Sequence, residues 1–295
     1  MRLVVDKDDI RIDKYLMEKL DISRNRIQKS ISDNLIKVND NIVKNNYKVN
    51  INDIIDYEIK EEKTMNVDPI KMDLDIVYED NDVIVINKAN GVVVHPATTT
   101  KGETLVNGLL DYSDSLSSIN GDFRPGIVHR IDAYTTGLLM VAKNNKSHEI
   151  LSKQLENKTA HRVYYALVEG VIKNDTGTID APIGRDLKDR KKMNVVKDGK
   201  KAITHFKVLE RYKNATLLEL KLETGRTHQI RVHMAYIGHP VINDSVYNTR
   251  VINNEGQCLH AKKLGFIHPT TNEYMEFDSD LPECFTNILT KYKEE

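Results

Sequence analysis

The chain has 295 residues, with 43 Lys+Arg against 44 Asp+Glu and a formal net charge of −1. This is enough for one large domain and one small one, and it excludes a uniformly polybasic chain. Two cysteines, Cys258 and Cys284, without CxxC spacing exclude a disulfide framework or thiolate metal centre. Asp6, Lys7, Asp8 and Asp9 interrupt any N-terminal secretory core and no apolar run reaches spanning length, so the expectation is a soluble cytoplasmic protein with no membrane partner.

From the N-terminus, Ile12, Tyr15, Leu16 and Leu20 recur at helical spacing and predict an amphipathic helix over 13–20. Ser23 stands as N-cap to a second helix over 24–34, with Ile27 and Ile31 on its buried face. Ile36–Asn39 predicts a short strand, Asn39–Asn41 a turn, Ile42–Val43 the start of the returning strand, and Ile54–Ile59 a closing strand. Residues 1–60 thus form one small domain. Residues 61–75, acidic and interrupted by Pro69, read as a linker, and 76–295 as a second domain. Its first strands are predicted at Ile76–Asp80, Val83–Lys88 and Gly91–His95. Charge is segregated along the chain: nine Lys/Arg against five Asp/Glu from Arg11 to Lys48, three against eleven from Asn52 to Asp82, and eight against three from Arg185 to Lys201. Basic patches of this kind are the footprint of a phosphate-backbone binder.

The most informative segment runs from Arg124 to Lys143. Asp132 lies between His129-Arg130 and a Thr135-Thr136-Gly137 turn. Apolar runs flank it at Ile127-Val128 and Leu138–Ala142, both read as short buried strands. A carboxylate there belongs at a strand end or in a tight loop against the core, and it needs a cationic partner because an unpaired buried charge is costly. Arg130 and a distant arginine are the candidates.

The run His129-Arg-Ile-Asp132-Ala-Tyr-Thr-Thr-Gly137-Leu resembles the catalytic motif of the RluA-type pseudouridine synthases. The family pattern is His-Arg-Leu-Asp, two variable residues, Thr-Ser-Gly-Leu. Thr224-Gly-Arg226-Thr-His228-Gln-Ile230-Arg231-Val-His233 resembles the family's third motif, and Tyr164-Tyr-Ala-Leu-Val-Glu-Gly170 its Tyr-x-Ala-x-Val-x-Gly strand. The resemblance covers nearly the whole chain. It implies an enzyme that detaches uracil from ribose and rejoins it through carbon. Asp132 would be the catalytic carboxylate, attacking the sugar, attacking the ring or removing a sugar proton. Arg231 is implied to pair with Asp132, its planar fork suiting a bidentate contact with a carboxylate. Tyr164 would face the base, while Tyr165, on the opposite strand face, is assigned to the core. Ile230 would pack near the base. Arg130 would enter the space vacated by the flipped uridine, and His129 would support the loop. Lys88 falls at the family's Lys-Pro-x-Gly strand end, with Ala89 in place of Pro.

Arg11-x-Asp13-Lys-Tyr-Leu, Ser23-Arg-x-Arg26-Ile-Gln28-Lys29 and Lys37-Val-Asn39 resemble the S-four-type alpha-L RNA-binding module. Arg11, Arg24, Arg26, Lys29, Lys44 and Lys48 would then contact phosphates, with Gln28 also in reach of RNA. Pro182-Ile-Gly-Arg185 to Met193 resembles the family's basic insertion, an RNA-facing hairpin carrying Arg185, Arg190, Lys191 and Lys192. The implied fold is α+β: a small RNA-binding domain, then a catalytic domain around a central mixed, largely antiparallel sheet flanked by helices and loops. The implied substrate is ribosomal RNA, most closely that of the large subunit, with no obligate protein partner. No cofactor is expected, since no dinucleotide fingerprint or phosphate loop is present. No metal is expected either, because His228 and His233 are not accompanied by a ligand pattern. A non-catalytic RNA-binding assembly factor is the alternative; the joint presence of Asp132, Tyr164 and Arg231 argues against it.

Overall fold

The computed structural model describes every residue except 21, 23, 60–66, 97–99, 101, 120, 122–123, 191 and 295, and the side chain of 25. The expected cap Ser23, the start of the linker and Lys191 therefore lie outside the described residues. Contacts divide the chain into two compact units, Met1–Met65 and Asn66–Glu295.

The first unit contains β1 (Arg2–Val4), β2 (Ile10–Arg11), α1 (Ile12–Leu20), α2 (Arg24–Ser32), β3 (Ile36–Val38), β4 (Asn41–Ile42), β5 (Lys48–Val49) and β6 (Ile54–Tyr57). Four strands form a sheet in the order β1-β6-β3-β4, and β2 pairs with β5. The helical periodicity has a direct outcome. Ile12, Tyr15, Leu16, Ile27 and Ile31 are buried against Ile36, Val49 and Ile55 in one core. Helix α2 stops two residues before its expected end because Asn34 adopts φ +60°, and the Asn34 and Leu35 amides bond back to the Ile31 and Ser30 carbonyls. Asn39 and Asp40, at φ +49° and +65°, make the two-residue turn between β3 and β4, the conformation whose twist suits a hairpin.

The second unit contains β7 (Ile76–Glu79), β8 (Val83–Lys88), α3 (Leu105–Tyr112), β9 (Thr136–Ala142), α4 (Asn145–Glu156), β10 (His161–Glu169), β11 (Thr176–Asp180), β12 (Ile183–Arg185), β13 (Met193–Val195), β14 (Ile203–Arg211), β15 (Ala215–Leu222), α5 (Gln229–Tyr236), β16 (Leu259–Ile267), β17 (Tyr274–Asp278) and α6 (Glu283–Glu294). Its main sheet runs β11-β14-β15-β10-β16-β9-β8-β7, with β17 also on β16. Every pairing is antiparallel except β9 with β16, giving the α+β class with a mixed, largely antiparallel sheet. Strand β9 is buried along its whole length. Leu139 and Val141 share one core with Ile84, Ile86, Leu105 and Leu109, while Leu138 and Met140 share another with Val83, Val85, Leu151 and Phe266. Side chains alternating across a strand require that split, and it places α3 on one face and α4 on the other.

The parallel crossing depends on Gly137. Its φ is +103°, and a Cβ there would sit 2.3 Å from the Ala261 carbonyl oxygen, so only glycine brings β9 this close to β16.

Several expectations need correction. Ile127-Val128 makes no strand; Ile127 contributes a single bridge to Val141. Gly91–His95 is not a strand either: Gly91 turns at φ +77° and Val93 makes only one bridge, to Thr104. β-Branched content alone does not supply the partner that a strand needs. Residues 67–75 do not behave as free linker. The Asp68 carbonyl accepts from Asn107 Nδ2, the Ile70 amide donates to the Asn107 carbonyl, and Val67 and Leu74 pack on the core. Tyr165 is half-buried rather than core, because its cross-strand neighbours are the polar Glu219 and His260.

Candidate active site

Asp132 sits in the turn entering β9, at the sheet's parallel crossing. The turn is held from several sides. The Thr135 amide donates to the Asp132 carbonyl at 3.1 Å. Gln257 Nε2 donates to Thr135 Oγ1 at 3.1 Å, and Thr136 Oγ1 lies 2.8 Å from His260 Nδ1. From beneath, the Lys88 ammonium donates to the carbonyls of Ala89, Val92 and Ala133 at 2.8, 2.9 and 2.7 Å. Burial lowers the Lys88 pKa to about 7, with the Asp132 charge opposing the shift. Three carbonyl acceptors fill all three ammonium donors, so Lys88 is a positioning group that ties the Asp132 turn to the end of β8.

The cation for Asp132 is Arg231, in the first turn of α5. Its Nη1 donates to Asp132 Oδ2 at 3.0 Å. The bidentate fork goes elsewhere: Nε and Nη2 donate to Asp244 Oδ2 and Oδ1 at 2.7 and 2.8 Å. Fully buried Asp244 also accepts from the Val246 and Tyr247 amides at 2.9 and 3.2 Å. Arg231 therefore bridges two carboxylates, one structural and one facing the cleft. Burial opposes its charge, but the bonds to Asp244 and the charges of Asp132 and Asp244 outweigh burial and raise its pKa. The Tyr247 ring lies 5.1 Å from the Arg231 guanidinium carbon, a cation–π arrangement. The Tyr247 hydroxyl also accepts from the Met193 amide at 3.0 Å and lies 2.8 Å from His228 Nδ1.

His228 precedes α5 with φ +56° and ψ 21°, a conformation that non-glycine residues adopt at a cost. Its Nε2 lies 3.9 Å from Asp132 Oδ1. Burial depresses its pKa, outweighing the opposing pull of Asp132, so it is neutral at neutral pH. Gln229 anchors the same helix start. Its Oε1 accepts from Thr224 Oγ1 and the Arg226 amide, and its Nε2 donates to the Ile203 carbonyl and Thr204 Oγ1.

Asp132, Tyr164, Ile230 and Arg231 line one cleft of about 350 Å³, and Arg130, Leu155, His228 and Leu259 are among the other residues of its wall. Tyr164 is 5% exposed. Burial raises its pKa, so it stands in the cleft as a neutral phenol. Arg130 is exposed at the rim. His129 accepts from the Met140 amide at 3.2 Å, and burial lowers its pKa to about 3, so the neutral ring holds the turn. Asp80, Asp82 and His268 converge in the second unit as a metal site would. However, the Asp80 carboxylate already accepts from the Asp82 and Val83 amides and the Tyr78 hydroxyl, and pairs with His268 Nε2 at 2.7 Å.

Known proteins resemble this chain. The model for RNA pseudouridylate synthase matches residues 82–236, and that for the S4 domain residues 10–55. This chain belongs to the RNA pseudouridylate synthase family. An uncharacterized RNA pseudouridine synthase of Bacillus subtilis is 54% identical over 95% of this chain and 93% of its own length. The ribosomal large subunit pseudouridine synthase D of Zymomonas mobilis is 38% identical over 92% of this chain and 90% of its own. The solved structure of human RNA pseudouridylate synthase domain containing 1 superposes with a TM-score of 0.57, at 25% identity, covering 76% of this chain and 96% of that one.

The basic residues of this synthase fall on two surfaces. In the first unit, the buried Asp13 carboxylate gathers three of the expected RNA contacts. Arg11 donates to both its oxygens at 3.1 and 2.9 Å, Arg24 to Oδ2 at 3.0 and 2.8 Å, and Gln28 to Oδ2 at 2.6 Å. Two guanidiniums on one carboxylate leave a net positive, oriented pair. Lys29, Lys44 and Lys48 are exposed, with Lys48 bonded to Asp9 at 2.6 Å, and Arg26 is half-buried. In the second unit, β12 and β13 form the expected hairpin, with exposed Arg185 and Arg190 and half-buried Lys192 toward its tip. Its base is tied to α5 through Met193, Val195, Val232 and Tyr247.

Sequence reasoning missed Asp244, Tyr247 and the organising role of Asp13. The signal for Asp244 was present: an acid one residue beyond the apolar Val241-Ile242 run, separated from it only by Asn243, much as Asp132 adjoins an apolar run.

Proposed function

We propose that this protein isomerises uridine to pseudouridine in ribosomal RNA of the large subunit, in the cytoplasm, with Asp132 as its catalytic carboxylate. The substrate assignment is carried by relatives of near full-length coverage that are named for that RNA. The catalytic assignment is carried by one observation: Asp132, Tyr164, Ile230 and Arg231 converge on one cleft, with Arg231 at 3.0 Å from the carboxylate. Its volume falls in the range of small-molecule sites, roughly 300–1,000 Å³.

Asp132 is aimed by the hydrogen bond from Arg231, ready to act on the sugar or the detached ring. Tyr164 offers an aromatic face and a hydroxyl to the uracil, with Ile230 as apolar packing beside it. The target must leave its stack to reach this cleft, and Arg130 at the rim suits the space it vacates. The Asp13-organised arginines, Lys29, Lys44, Lys48 and the hairpin residues Arg185, Arg190, Lys191 and Lys192 would hold the RNA backbone, orienting it without reading sequence.

The test is Asp132→Asn, with pseudouridine mapped in ribosomal RNA and RNA affinity measured in parallel. Product should vanish while binding persists. Product formation at the wild-type rate would remove the enzyme assignment for Asp132 and favour an RNA-binding role for the fold.

A further inference from the structure

Strand β10 presents a second side chain to the cleft. Arg162 precedes Tyr164 by two residues, so alternation turns both to one face. It lines the catalytic cleft and also an adjoining groove of about 280 Å³. Three other cations line that groove, and each has a carboxylate: Lys158 with Glu223 at 2.6 Å, Lys221 with Glu219 at 3.6 Å, and Lys263 with Asp278 at 3.4 Å. Among the described residues, Arg162 has none. Its Nε is buried and has no hydrogen-bond partner. Its charge instead falls on His129 and Tyr164, both neutral, and it depresses the pKa of His129 further after burial has lowered it. A Cβ on Gly225 would lie 3.2 Å from Arg162 Nη1, so a side chain at 225 would press on the guanidinium.

A half-buried cation with an unfilled N–H is costly until an anion arrives. The fork of a guanidinium matches a phosphate, and RNA offers that anion at every linkage. A neutral uracil carbonyl would leave the charge unmatched, and Arg162 lines the groove as well as the cleft. We propose that Arg162 grips a phosphodiester beside the target uridine, where the strand passes from the catalytic cleft into the adjoining groove. The proposal rests on the reading of the cleft as the uridine site.

The test uses the full chain and an RNA fragment spanning a uridine that the wild type converts. Arg162→Gln should lower kcat/KM about tenfold or more, chiefly through KM. The salt dependence of binding should become shallower by about one phosphate, a slope change of roughly 0.7 to 0.9. Arg162→Lys should recover part of the loss, which separates lost charge from lost folding, and melting temperatures check the fold directly. RNAs with a single uncharged methylphosphonate on either side of the uridine identify the linkage. One of them should weaken wild type by a similar factor and Arg162→Gln by little more. If the effects of variant and methylphosphonate multiply at both linkages, or Arg162→Gln lowers only kcat with an unchanged salt slope, the phosphate assignment is overturned. Asp132→Asn remaining active would instead remove the underlying reading of the cleft, which the Arg162 series cannot do by itself.

Discussion

Replacing Asp244 by Asn tests whether Arg231 is aimed from behind. The substitution conserves shape but removes the charge that receives two of Arg231's hydrogen bonds, and it sets an amide donor against one of them. Arg231 is 5% exposed and Asp244 is fully buried, so water cannot compensate. Removing one partner of a buried ion pair costs about 3–5 kcal/mol. The residual contact with Asp132 and the remaining amide acceptor put Asp244→Asn near the lower end. For a domain of this size, each kcal/mol lowers Tm by about 2–4 °C, so melting should fall by roughly 6–12 °C. Activity should fall too, since a misplacement of about 1 Å at a catalytic group can cost on the order of 100-fold. Asp132→Asn is the control: Asp132 has one bond to Arg231 and a side chain 18% exposed, so activity should be lost with a much smaller change in Tm. Thermal unfolding and kcat/KM for pseudouridine formation, measured on both variants, decide the matter. Asp244→Asn with wild-type Tm and wild-type kcat/KM would refute the reasoning.

Two further outcomes follow from geometry. Gly137→Ala should destabilise the second unit by about 3 kcal/mol or more, because it combines a left-handed backbone with a Cβ driven into the Ala261 carbonyl; an unaltered denaturation midpoint would contradict the crossing. In the first unit, burial raises the Asp13 pKa, but bonds from Arg11, Gln28 and Arg24 outweigh it and bring it down to about 2. A depressed folded-state pKa adds stability above the unfolded value, about 3.9, which is lost as pH falls through the folded one. Hydrogen exchange in the full chain should therefore show the first unit losing on the order of 2 kcal/mol more between about pH 4 and pH 2 than Asp13→Asn does. Equal slopes in wild type and variant would assign the acid sensitivity to other carboxylates.

The motifs themselves were legible because each is short and contiguous. The Asp132 turn, the Tyr164 strand and the residues around α5 are local units in which alternation, helical spacing and a required glycine leave a direct trace. The helices of the first unit were readable for the same reason, apart from α2, whose end is set by the backbone of Asn34. Tertiary structure decided what pairs with what. Asp132 and Arg231 lie 99 residues apart. Periodicity carries no information on that distance, nor on the choice of Asp244 as the acceptor of the fork. Gly91–His95 has the composition of a strand yet lacks a ladder partner, because hydrogen-bond pairing is a property of two segments. Asp13 could be seen as an acid in a basic stretch, but its capture of Arg11, Arg24 and Gln28 appears only when two helices and a strand meet. Local chemistry is written along the chain; the charge balance of a buried site exists only once distant segments exclude water together.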